Sequence, residues 1–348
     1  MKIYRVVITG APCSGKTKII DMLYEYYKKR LDDVFVCPEA ASQLITEGSS
    51  RNNVILFQKN VFKRQCDNEK YINKQLKKCQ GDIALVLYDR GLVDCYSYVD
   101  DIHEFADEVN CSVLKSYCNY DMAIMLEICD KQYFENNGER IENYQKCLQL
   151  QDRIKDVYVG HPHLRYIKNQ NIIADKFELV KDEIDFLFEG KEIEKKFLIK
   201  YPDIDRLWKL KPFKAEISQT YLLSSVGSHR IRKRGANGEY IYFETLKIRI
   251  SGSSCYEDEK IINEDEYNEL LKNADPDKKT INKYRYCFLY DGKYFELDIF
   301  DFWNDRAFLE IELKDINEKY VLPPFIEVIK DVSDDEHYKN NYLAGLKL

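Results

Sequence analysis

Eight residues near the N-terminus have the types and spacing of a phosphate cradle. Gly10-Ala11-Pro12-Cys13-Ser14-Gly15-Lys16-Thr17 fits the pattern G-x-x-x-x-G-K-[ST]. Gly10, Ser14 and Gly15 shape a loop whose backbone N–H groups converge on phosphate oxygens, and the helix that follows adds partial positive charge. Lys16 is placed for the β and γ phosphates of ATP or GTP, and Thr17 for the Mg²⁺ that accompanies them. Two further groups narrow the site: Glu39 in Cys37-Pro38-Glu39, and Asp89-Arg90-Gly91. Each follows an apolar run that reads as a strand, and in an open α/β sheet the crevice beyond the strand ends takes the ligand. There Asp89 suits the Mg²⁺ shell and Arg90 a phosphate clamp. The alternatives are an N-cap or surface carboxylate at Glu39 and a local ion pair at Asp89-Arg90.

A second constellation fills the other half of the chain. Side chains two apart on a strand share a face. By that rule Glu192, Glu194 and Lys196 share one, and so do Arg230, Arg232 and Arg234. Lys247 pairs with Arg249, Glu257 with Glu259, Lys283 with Arg285, Glu296 with Asp298, and Glu310 with Glu312. On most of these strands apolar residues occupy the alternate positions, such as Leu246, Ile248 and Ile250. One such strand is an ordinary solvated face. Seven in succession, with acidic and basic pairs segregated by strand, point instead to a closed barrel whose charged faces turn inward. Buried charges on that scale must pair, bind metal or bind a polyanion. Acidic pairs suit Mg²⁺ or Mn²⁺, and basic pairs suit phosphate oxygens. A lumen with both suits a metal–polyphosphate complex.

The elements that must position these groups fall into two domains. Val6–Thr9, Val34–Cys37, Ile83–Tyr88, Met122–Ile128 and Leu164–Lys168 read as strands separated by helical stretches, the alternation of a parallel sheet with helices on both faces. Lys16–Arg30 reads as a helix with Ile19, Ile20, Leu23 and Tyr27 on its apolar side, and Phe177–Phe188 as the helix that closes the domain. Beyond Gly190 short alternating strands and turn signals take over, an antiparallel pattern. The expected division is 1–189 and 190–348. His337–Leu346 reads as a capped amphipathic helix.

Composition sets outer bounds. The 348 residues carry 53 Lys+Arg against 60 Asp+Glu, a net charge of -7, and are 45% hydrophobic. Wholesale disorder is excluded, and the near balance of signs argues against a generic basic nucleic-acid coat. No apolar run reaches the roughly 20 residues of a membrane span, and the first is too short for a signal peptide. The 11 cysteines form no C-x-x-C pair, so a cytoplasmic protein with free thiols is expected.

On these motifs, residues 1–180 resemble the P-loop kinases of nucleosides and of nicotinamide riboside, and more closely the AAA-like ATPase domain of the TRPL translocation defect protein family. That resemblance implies that Glu39 receives a substrate hydroxyl proton, that a lid arginine falls on Arg140 (Lys131 second), and that Asn169 touches a nucleobase. Glu192-x-Glu194-x-Lys196, followed by the R-x-R, K-x-R and E-x-E strands, resembles the CYTH superfamily of triphosphate tunnel metalloenzymes over residues 190–348. It implies an eight-stranded β tunnel that hydrolyses a triphosphate: inorganic triphosphate, a nucleoside triphosphate or an RNA 5′-triphosphate. Glu192, Glu194, Glu310 and Glu312 would hold Mg²⁺ or Mn²⁺, with Asp298 and Glu259 second; Glu192, Glu194 and Lys196 would be catalytic, Lys196 by binding the triphosphate. Arg232, Arg234, Lys247, Arg249, Lys283 and Arg285 would bind the triphosphate. Cys255-Tyr256-Glu257-Asp258-Glu259 departs from that family's E-E-x-E stretch by lacking its leading Arg. The alternative reading is a GTP- or ATP-regulated adaptor that holds an anionic lipid headgroup, a phosphoinositide or phosphatidic acid.

Overall fold

The computed structural model describes residues 1–134, 143–190, 193–251, 254–315 and 317–346, without the side chains of 249–251 and 254–257. It divides into two compact units, Met1–Lys191 and Glu192–Leu348.

In the first unit β1 (Lys2–Thr9), α1 (Lys16–Tyr27), β2 (Asp33–Cys37), α2 (Ala40–Thr46) and α3 (Val54–Leu76) come first. β3 (Ile83–Asp89), α4 (Ile102–Val109), α5 (Val113–Tyr117), β4 (Met122–Leu126), α6 (Tyr144–Tyr158), β5 (Leu164–Ile167) and α7 (Ile173–Glu189) follow. Among the described residues the strands form a five-stranded parallel sheet in the order β2-β3-β1-β4-β5. Val6, Val7 and Ile8 on β1 and Leu85, Val86 and Leu87 on β3 are all buried. Consecutive burial is what a sheet covered on both faces requires. α1 turns Ile19, Ile20, Leu23 and Tyr27 inward and ends at Tyr27, where expectation ran to Arg30. There the Arg30 N–H bonds back to the Tyr27 carbonyl and tightens the chain into a turn.

The second unit contains β6 (Ile193–Lys200), α8 (Ile204–Trp208), β7 (Phe213–Leu222), β8 (Ser228–Ala236), β9 (Glu239–Ser251) and β10 (Ser254–Ile262). Then come α9 (Glu264–Leu271), β11 (Ile281–Tyr290), β12 (Lys293–Phe300), β13 (Arg306–Leu313), β14 (Val328–Asp331) and α10 (Asn340–Ala344). Among the described residues they form one antiparallel sheet of nine strands, β10-β9-β8-β7-β11-β12-β13-β6-β14. Eight were expected; the extra one is β14, a four-residue edge strand on β6. The expected C-terminal helix is also divided. Lys339 is extended (φ -76°, ψ 142°) and separates a 3-10 turn at Glu336–Tyr338 from α10.

Across β6, β11, β12 and β13 one face of this sheet is apolar. Phe197, Phe288, Phe295, Leu297, Leu309, Ile311 and Leu313 pack together there under Leu207 of α8 and under Tyr320, Leu322 and Phe325. On the other face Leu198 (β6), Tyr221 (β7), Ile281 (β11), Phe300 (β12) and Phe308 (β13) share a second cluster. In a flat sheet β7 and β6 would stand about 19 Å apart, four spacings of some 4.8 Å. Lys196 on β6 is nonetheless near enough to Tyr221 on β7 to act electrostatically on its hydroxyl, so the sheet curls around this second face.

Leu309 is fully buried at the centre of the apolar face. Leu309→Ala is expected to lower stability by about 3–5 kcal/mol, the range for a large-to-small core change, read as a fall in the urea midpoint at unchanged slope.

Candidate functional site

In the first unit the loop after β1 is a concave nest. Gly10 (φ 140°), Cys13 (φ 64°) and Gly15 (φ 87°) all take left-handed or related backbone conformations, which turn successive N–H groups to one side. A Cβ at Gly10 would stand 2.4 Å from the Leu126 carbonyl oxygen, so glycine is required there. Lys16 folds back into this loop. Its ammonium donates to the carbonyls of Gly10 (2.8 Å) and Ala11 (3.0 Å) and to Ser14 Oγ (3.4 Å). Burial, and then the nearby Arg90, lower its pKa from 10.5 to about 8, against the pull of Glu39, Asp89 and Asp94.

The predicted partners converge on that lysine. Thr17 Oγ1 donates to Asp89 Oδ2 (3.3 Å), while the buried Asp89 Oδ1 has no hydrogen-bond partner. A buried carboxylate oxygen left open beside a threonine hydroxyl fits a hard cation. Arg90, strained at φ 64°, sends Nε to Glu39 Oε1 (2.7 Å) and Nη1 to Asp94 Oδ1 (3.0 Å). Glu39 occupies the N-cap position of α2 but caps nothing; it accepts from Ser42 and from Arg90. Burial would raise its pKa, but Arg90 and Lys16 together lower it, so at neutral pH it is an ionised counter-charge. Asn169 spends Oδ1 on Lys176. Lys131 lies in a 3-10 turn after β4, and Arg140 lies outside the described residues.

Two residues of this site carry no obvious sequence signal. Asp94 is buried and takes hydrogen bonds from Thr9 Oγ1 (2.6 Å), Arg90, the Gly91 N–H (2.8 Å) and Tyr158 OH (2.7 Å). It ties β1, the turn after β3 and α6 to the arginine. The spacing Gly91 to Asp94 is that of a capping box, the one local hint. Lys176 on α7 donates to the carbonyls of Ser14 (3.2 Å) and Glu127 (3.0 Å), bracing the phosphate loop from behind.

In the second unit the register puts the charged residues on one face of the curled sheet. Arg285 stands opposite Asp298, Glu296 opposite Glu310, Glu310 opposite Lys196, and Glu312 opposite Glu194. Through β7, Gln219 links Arg232 and Ile217 links Arg234 to the same face, which continues to Thr245 and Lys247 on β9 and Glu259 on β10. Asp298 is fully buried. Arg285 donates to both its oxygens (2.7 Å each) and to Glu310 Oε2 (2.6 Å), and also reaches Glu296. Lys283 bonds Asp298 as well, and Lys196 bonds Glu310 Oε1 (2.7 Å).

The protonation states follow from this lattice. Burial works against the Glu310 carboxylate, yet Lys196, Arg285 and Lys283 hold it well below the usual carboxylate range. Burial likewise opposes ionisation of Asp298, and Arg285 and Lys283 outweigh it. Burial and the Arg285 charge lower the Lys283 pKa. Arg232 donates to Glu259 (3.0 Å), but its buried Nε has no hydrogen-bond partner. Burial and the neighbouring Arg230, Arg285 and Arg234 depress its pKa, with Glu259 opposing, the mark of crowded positive charge.

The expected metal set is only partly gathered. Glu192 lies outside the described residues, as does the Arg249 side chain. Asp298 is the counter-ion of Lys283 and Arg285, because its β12 position faces Arg285 directly. Among the described residues no three His, Cys, Asp or Glu side chains are clustered as a metal site. The in-register carboxylates Glu194 and Glu312 are oxygen donors of like charge on adjacent strands, and their type fits a divalent cation.

Comparison with known proteins gives the following. Residues 5–175 match the family described as AAA domain. No curated protein matches the chain. Among solved structures, the inorganic triphosphatase NE1496 is 27% identical over 45% of this chain and 95% of its own, at a TM-score of 0.33. The putative adenylyl cyclase HpAC1 from Hippeastrum, described as having a dominant triphosphatase activity, is 17% identical over 35% of this chain and 80% of its own, at 0.28. PH1012 from Pyrococcus horikoshii OT3 is 24% identical over 35% and 78%, at 0.28. Among the described residues no helix is long and apolar enough to cross a membrane.

Two outcomes follow from the charges. Asp298→Asn leaves Lys283 and Arg285 buried without their shared counter-ion, and is expected to cost about 3–5 kcal/mol in equilibrium urea unfolding. Lys16 has a lowered folded pKa, so the folded state binds fewer protons than the unfolded state between pH 8 and 10.5. The cost of its charge is present in full below pH 8 and disappears as pH rises through that window. Relative to Lys16→Met, the wild-type protein should therefore gain on the order of 3 kcal/mol across it, measured by unfolding at stepped pH without nucleotide.

Proposed function

We propose that the second unit hydrolyses a triphosphate with the help of Mg²⁺ or Mn²⁺, while the first unit binds ATP or GTP. The observation that supports this most directly is the segregated lattice of acids and bases on the inner face of one curled sheet. Arg232, Arg234, Lys247, Lys283 and Arg285 present a dense field of donors to phosphate oxygens. Lys196 stands across from them, bonded to Glu310. A linear triphosphate has the charge and length to take several of these bases at once and to release the carboxylates that now neutralise them.

Glu194 and Glu312, with Glu192, would hold the cation. When bound it would neutralise phosphate charge and lower the pKa of an attacking water. The bases would hold the terminal phosphoryl group in line and meet the charge that builds on its oxygens. In the first unit Lys16 would leave its own loop carbonyls for the β and γ phosphates, Thr17 and Asp89 would take Mg²⁺, and Arg90 would face the phosphates. Glu39, held ionised by Arg90, fits a charge partner better than a strong base.

The test is phosphate release by the full chain from inorganic triphosphate, ATP, GTP and a triphosphorylated RNA end, with and without Mg²⁺ or Mn²⁺. Glu194→Gln and Glu312→Gln should each lower metal-dependent turnover by roughly 100-fold or more, as loss of a preorganised polar group does. Unchanged turnover in both variants overturns the assignment.

A further inference from the structure

Cys13 stands inside the phosphate loop at φ 64° and is partly buried. Its carbonyl accepts a hydrogen bond from the backbone N–H of Cys129 (3.2 Å), just past the end of β4. Added to the covalent lengths from Cα to carbonyl oxygen on one side and from N to Cα on the other, that bond leaves the two Cα atoms no more than about 7 Å apart. A disulfide spans Cα separations of roughly 4.4–6.8 Å. The thiols are close enough to interact: burial raises the Cys129 pKa, and the Cys13 thiol raises it further. Both residues are partly exposed, so an oxidant has access to them. A third thiol, Cys147 on α6, is fully buried in the small cluster against which Cys13 packs.

We infer that Cys13 and Cys129 are a dithiol oxidation site, which a hydroperoxide closes to a disulfide that locks the phosphate loop and weakens nucleotide binding. The regulatory half of this inference rests on the nucleotide-binding reading of the loop. Cys13 attacks the peroxide as thiolate; the O–O bond breaks, the sulfur becomes a sulfenic acid, and the departing oxygen leaves as water or an alcohol. Cys129 then gives up its proton and attacks that sulfur; the S–O bond breaks and a second water leaves. Two thiols are oxidised by two electrons in all, and the peroxide oxygens are reduced.

The consequence for the loop follows from Lys16. Its ammonium now rests on the Gly10 and Ala11 carbonyls, and nucleotide must draw it away. A cross-link at Cys13, between those carbonyls and the lysine, resists that rearrangement.

The experiment treats the full chain with hydrogen peroxide, maps cross-linked peptides by mass spectrometry without reductant, and measures ATP affinity before oxidation, after it, and after a dithiol reductant. The expected result is a peptide joining Cys13 to Cys129, and an affinity at least about tenfold weaker that reductant restores. Cys13→Ser and Cys129→Ser should bind ATP equally with and without peroxide. Absence of that peptide, or a Cys13–Cys147 peptide in its place, overturns the site. A cross-link that leaves ATP affinity unchanged overturns the switch. If the reduced protein binds no ATP, the nucleotide reading and the switch fall together, while the peptide map still decides whether the dithiol exists.

Discussion

A fully buried carboxylate held by two bases is the constraint on which the second unit depends. Side chains alternate between the faces of a strand, so a sheet that packs Phe295, Leu297 and Leu309 on one side must carry Glu296, Asp298 and Glu310 on the other. Curling the sheet takes those charges out of water, at a cost of several kcal/mol per ion if they are left alone. Asp298 resolves this by accepting from Arg285 and Lys283 together, and Glu310 extends the lattice from Arg285 to Lys196. The lattice crosses β11, β12, β13 and β6, so it also fixes their register. A slip of one residue would put the apolar set against the charges.

The first unit meets the same difficulty on a smaller scale. Among its described residues the buried cations are Lys16, Lys176 and Arg90. Lys16 and Lys176 are satisfied mainly by backbone carbonyls, and Arg90 by Glu39 and Asp94. Asp94 is the hub, because each of its oxygens accepts two bonds, from groups on separate elements. Such a carboxylate sets the position of Arg90 without needing to touch a ligand itself. In both units, then, cations are held by partners that a phosphate oxygen is able to replace.

Much of this was legible because it repeats at short range. The period-2 charge pattern assigned face and strand together, and the glycine spacing of residues 10–17 marked the phosphate loop. Features that depend on distant partners were not legible. Lys176 and Asp94 gain their roles only when loops far apart in sequence meet. The family resemblance puts Asp298 among the metal candidates, and only the register opposite Arg285 shows that it pairs with a base. β14 has all four residues exposed, so it shows no alternation from which a strand is read. The break at Lys339 depends on one backbone conformation inside an otherwise amphipathic run.

The distribution of strain separates what stabilises the protein from what it keeps for use. The apolar cluster beneath α8 and the core of the parallel sheet are well packed. Four costly features lie elsewhere: Arg90 at positive φ, Lys16 charged under burial, Asp89 Oδ1 without a partner, and Arg232 Nε buried beside other arginines. Selection for stability alone would remove such features, since each substitution that relieves one is within easy reach. They occur in two places, the phosphate loop with its neighbours and the inner face of the curled sheet. Under the proposed function all four would be relieved by the same kind of ligand: a phosphate chain with its cation would bring oxygens to Lys16, Arg90 and Arg232 and a positive charge to Asp89. On that reading the cost carried by the free protein is the complement of one bound chemistry, which would tie two different folds in one chain to the same class of molecule.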